Sequence, residues 1–104
     1  MNHSASKYVC AYRDGLMSPD HPLFHQSSVV SSLFRKGIDM YDYIQDLHNV
    51  RDQEGFYNRD WNKIKHFQSK LSALEAAYRI ELEALQSMIN KLYPIQPASP
   101  ITMV

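Results

Sequence analysis

Apolar residues recur at three- and four-residue steps along two long stretches of the chain. From Ile64 the stripe runs through Phe67, Leu71, Leu74, Tyr78, Leu82, Leu85, Ile89 and Leu92. That is the spacing of one face of an α-helix. Upstream, Leu23, Ser27, Val30, Phe34, Ile38, Tyr41, Ile44 and His48 repeat the pattern. Read in opposite directions, the stripes pair Phe34 with Tyr78, Ile38 with Leu74, Tyr41 with Leu71 and Ile44 with Phe67. Such matching is expected of antiparallel helices that face each other. The pattern predicts an all-α fold built on a long antiparallel helical hairpin.

The punctuation sets the expected boundaries. Residues 1–19 hold a polar start and a short amphipathic segment, Lys7 to Met17, with Tyr8, Tyr12 and Leu16 at four-residue spacing. Ser6 is positioned to cap this segment and Gly15 to end it. After the break Ser18-Pro19-Asp20-His21-Pro22, Asp20 is a suitable N-cap, and Pro22 is tolerated in a first helical turn. The first long helix is expected over about 22–54, with Gly37 weakening its middle or allowing close approach to a partner helix. Gly55 followed by Phe56 reads as its left-handed cap. Asn58 or Asp60 can open a second helix over about 58–93, a stretch without Gly or Pro. Pro94 stops that helix, and Pro97 and Pro100 predict an extended tail over 94–104.

Two further rows are not absorbed by the hairpin seam. The first helix carries Val29, Leu33, Met40, Tyr43, Leu47 and Val50, and the second carries Ala73, Ala77, Ile80 and Ala84. A two-helix hairpin has one interface, so these rows are the candidate interaction surface. They predict either cover by the short N-terminal helix or self-association, with a dimer completing a helical bundle.

Charge and composition narrow the classes. The chain has 104 residues, with 11 basic and 11 acidic side chains and a formal net charge of zero. General nucleic-acid binders carry a basic excess, so neutrality disfavours that class and favours association. Cys10 is the only cysteine, which excludes an internal disulfide and a Cys-rich zinc site. No signal-like or membrane-spanning apolar run occurs, and an intracellular, cytoplasmic location is the expectation.

Candidate chemistry is sparse. Arg59, Lys63, His66 and Lys70 form a basic stripe that can track phosphates. The hairpin register also sets it against Asp42, Asp46 and Asp52, as flanking charge pairs that fix helix pairing, and the latter reading is preferred. Arg59 and His66 resemble the Arg-then-His spacing of the HEPN-type ribonucleases, which are also helical and pair two such motifs across a dimer. That resemblance implies RNA cleavage dependent on these two residues. His21 and His25 stand four apart, as some zinc ligands do, but Pro22 intervenes and no third ligand is well spaced. No metal and no cofactor is expected. Gly-rich phosphate loops and nucleophile-elbow motifs are absent from the sequence. The ending Thr102-Met103-Val104 resembles the C-terminal ligands of PDZ domains, with a simple frayed end as the plainer reading. The sequence therefore points to a small protein–protein interaction or assembly module without catalysis. A nucleic-acid or nucleotide-binding helical protein is the alternative.

Overall fold

The computed structural model describes residues 4–94. They form three helices, α1 (Ala5–Arg13), α2 (Phe24–His48) and α3 (Trp61–Leu92). The order of contacts between α2 and α3 makes them antiparallel. Gln26 Nε2 donates to the carbonyl and carboxylate of Glu81 at 2.9 and 3.0 Å. Phe34 meets Tyr78 with ring centroids 5.8 Å apart, as the stripes predict. Nearer the loop, Phe67 meets Tyr43 with ring centroids 4.9 Å apart, and His48 meets Trp61 at 5.7 Å.

Local chemistry explains each boundary. α1 starts earlier than the Lys7 expected and ends as Gly15 predicts. Gly15, at φ 72°, donates to the Tyr12 carbonyl, and Leu16 donates to that of Ala11. These are the two bonds of a Schellman cap, and they satisfy carbonyls that a helix end leaves open. Asp20 does not cap α2. A turn intervenes in which the Leu23 N–H donates to His21 Nδ1 at 3.0 Å, and Leu23 becomes the N-cap residue.

α2 stops at His48, six residues short of the expected Glu54, because residues 49–60 close a compact loop. Asp52 Oδ1 accepts the N–H groups of Glu54 and Phe56, and Asn58 N donates to the Val50 carbonyl. Gly55, at φ 89°, is the left-handed residue of this turn and not a helix cap. Asp60 opens α3, its carboxylate accepting the Lys63 N–H at 3.1 Å. The tail expected beyond Pro94, with the PDZ-like ending, lies outside the described residues.

Burial is confined to the two ends of the hairpin. At the open end α1 packs on both long helices, and Ala5, Val9, Leu23, Val30, Leu85 and Ile89 form one buried cluster. Ala5 N donates to Gln86 Oε1 across this junction. The stripe that buries α1 is thus Ala5 and Val9; Tyr8 and Tyr12 are half-buried and Leu16 is exposed. Burial and a side-chain hydrogen bond with Tyr93 push the Tyr8 phenol above its ordinary pKa. Ser27 shares this buried zone, and its hydroxyl finds no hydrogen-bond partner among the described residues.

At the loop end Ile44, Leu47 and Ile64 are buried. Between Val30 and Ile44 on α2, and between Ile64 and Leu85 on α3, no residue is buried. That gap is about 20 Å of α2 at the rise of a helix. The radius of gyration, 20.3 Å, exceeds the roughly 13 Å of a compact domain of this size.

Leu85→Ala is expected to lower stability by about 2–5 kcal/mol, because it empties a fully buried site. Ile80→Ala, at a position 64% exposed, should change it by less than about 0.5 kcal/mol. Urea unfolding of both variants checks the contrast.

Candidate interaction surface

The unburied middle of the hairpin is flanked by two apolar grooves. The first, of about 310 Å³, follows the seam between the long helices. Phe34, Gly37, Ile38 and Tyr41 form its α2 wall, and Leu71, Leu74 and Tyr78 its α3 wall. It begins where α1 ends, since Phe34 and Ile38 also line a cleft with Arg13 and Asp14. Phe34 is 40% exposed, Ile38 39% and Tyr41 55%, although all three belong to the stripe that periodicity assigns to the seam. Large apolar side chains are thus left half in water along this groove.

Gly37 lies in this groove, and a Cβ placed on it meets nothing within 4 Å. It does not bring α2 and α3 close together, so the expected close approach is not made within the chain. The glycine weakens the helix and returns no packing to the isolated hairpin.

The second groove, of about 640 Å³, lies between the rows left over by the seam. Met40 and Tyr43 stand on its α2 wall, and Phe67, Ala73 and Leu74 on its α3 wall, with Lys36, Asp39 and Lys70 among the lining residues. The structure therefore gathers Met40, Tyr43 and Ala73 of the expected surface into one groove. Leu33 lines the other groove, and Val29 and Ala77 are half-buried. Ile80 and Ala84 are exposed. Leu47 does not belong to the surface. It is buried at the loop end, beside Val50, Asn58 and Asp60 of the returning loop.

The basic stripe is not knitted to α2 as expected. None of Lys63, His66 and Lys70 forms an ion pair with the acidic groups of α2. The carboxylates expected to meet them do other things or face solvent: Asp52 organises the loop, and Asp39, Asp42 and Asp46 are exposed. Lys70 Nζ instead lies 5.4 Å from the Phe67 ring centroid, and Lys63 Nζ 5.9 Å from that of Tyr43. Aromatic residues at the seam's edge hold the ammonium groups where short Asp side chains do not reach.

Arg59 leaves the stripe altogether. Its Nε donates to the His48 carbonyl at 2.8 Å, and its guanidinium lies 4.2 Å from the Tyr57 ring centroid. It closes the loop onto the end of α2 and satisfies a terminal carbonyl there. His66 packs its ring on Phe67 at 5.2 Å, so the two residues of the ribonuclease-like spacing engage different partners. His21 is engaged through Nδ1 by the Leu23 N–H, while His25 is exposed. Comparisons with known families, with characterised proteins and with solved structures find no match to this chain.

Gly37→Ala is expected to raise the stability of the isolated protein by about 1 kcal/mol, through helix propensity alone. Thermal or urea unfolding reads it. A decrease would mean that the space over Gly37 is filled when the hairpin stands alone.

Proposed function

We propose that the chain is a protein–protein interaction or assembly module that works by helix–helix contact, with the middle of the hairpin as its contact region. The observation that carries this reading is the interrupted core. Both ends of the hairpin are buried, beside α1 and beside the loop, and nothing among the described residues covers the apolar stretch between them. A helix laid along a groove of this kind presents side chains at three- and four-residue steps, matching the periodicity of the walls. Binding transfers exposed rings and branched side chains out of water, worth about 25 cal/mol per Å² of apolar surface.

The proposal includes action by contact rather than by catalysis and a cytoplasmic setting. Among the described residues no helix is long and apolar enough to cross a membrane. A lone, exposed Cys10 suits a reducing compartment.

Met40→Asp and Ala73→Asp, both in the middle of the hairpin, test the reading. Each is expected to keep the helical circular dichroism and to leave stability within about 1 kcal/mol. Each should abolish association, seen by sedimentation at matched concentration. Unfolding by both substitutions would show the rows to be the chain's own core and would overturn the proposal.

A further inference from the structure

We infer that a second copy of this chain covers the groove lined by Met40, Tyr43 and Ala73, in a two-fold dimer that sets α2 of each copy over α3 of the other. This rests on the reading of the hairpin as an interaction module and names its partner.

The charges of the groove walls point to this arrangement.

Asp39 and Lys70 line the same groove on opposite walls, both exposed and neither in an ion pair among the described residues. A two-fold axis parallel to the helices keeps the two copies level. Asp39 then meets the partner's Lys70, and Lys70 meets the partner's Asp39. Asp42 and Asp46 continue the acidic edge of α2, and Lys63 and His66 the basic face of α3. An axis across the helices would instead bring α2 to α2 and like charge to like charge. Lys36 is the charge out of keeping on the α2 wall, and its long stem lets the ammonium group reach solvent at the rim. A self-complementary patch of this kind is what an isologous dimer requires. The seam groove over Gly37 stays open in it.

Charge exchange between the walls tests the dimer. Wild-type protein is expected to scatter light as twice the chain mass. Asp39→Lys and Lys70→Asp each place like charges across the interface twice, and each should weaken the dimer at least about tenfold. An equimolar mixture of the two variants restores both opposite-charge pairs and should dimerise again, as a mixed species identified by native mass spectrometry. Both sites are exposed, so circular dichroism should report unchanged helix.

A wild-type monomer, an open-ended assembly, single variants that stay dimeric, or a mixture that stays monomeric would each overturn the inference. Such results leave the interaction module standing, because that reading fails separately, if Met40→Asp and Ala73→Asp unfold the hairpin. Helix lost in one charge variant passes the test to the other, combined with Tyr43→Asp, which should also be monomeric; a dimer there overturns the inference.

Discussion

Two helices side by side bury only the seam between them, and a side chain on that seam becomes fully buried only where a third element closes over it. This constraint accounts for the layout of the molecule. α1 supplies the third element at the open end, where Val9 joins Leu23, Val30, Leu85 and Ile89. At the other end Ile44, Leu47 and Ile64 are buried where the chain turns back through the loop. Between them the seam is continuous in sequence but open in structure, so Phe34 and Tyr78 touch while Phe34 remains 40% exposed. The free energy of folding comes from the ends. The middle holds apolar surface that nothing among the described residues buries.

The polar groups follow the same division. Those at the ends are committed to structure: Gln26 to Glu81, Gln86 to Ala5, Asp60 to Lys63, Arg59 to the carbonyl that ends α2. Those along the middle, Asp39, Asp42, Lys63 and Lys70, are in no ion pair among the described residues. Exposed pairs on a helix surface contribute little to stability, so their absence costs the fold little. Charges at the rim of an apolar groove have a larger effect on which partner docks and in which orientation.

Periodicity made the long helices and their antiparallel pairing legible, because a three-to-four step over many residues has no other common solution. The Phe34–Tyr78 contact follows from it directly. Gly15 was legible as a stop because only a left-handed residue makes that cap cheaply. The end of α2 was not. Gly55 supports a cap or a turn equally well, and the choice is made by Asp52, whose carboxylate gathers two N–H groups only once the loop has folded. The docking of α1 was obscured by its tyrosines. They outweigh Ala5 and Val9 in a hydrophobic pattern, yet their hydroxyls keep them half-buried while the smaller pair enters the core. Nor does periodicity distinguish a covered stripe from an open one, so Phe34, Ile38 and Tyr41 read as core although the seam leaves them in water. The basic stripe shows the limit of matching charges by register, since side-chain length decides whether a pair can meet.

Amide hydrogen exchange, followed residue by residue at low and high protein concentration, tests the account most directly. At low concentration, amides in the middle of α2 and α3 should exchange through local opening well before those beside Val30 and Leu85. Protection of the middle should rise selectively as concentration brings copies together. Middle amides as protected in the dilute monomer as those at the ends would contradict the account, because the hairpin would then need no further layer.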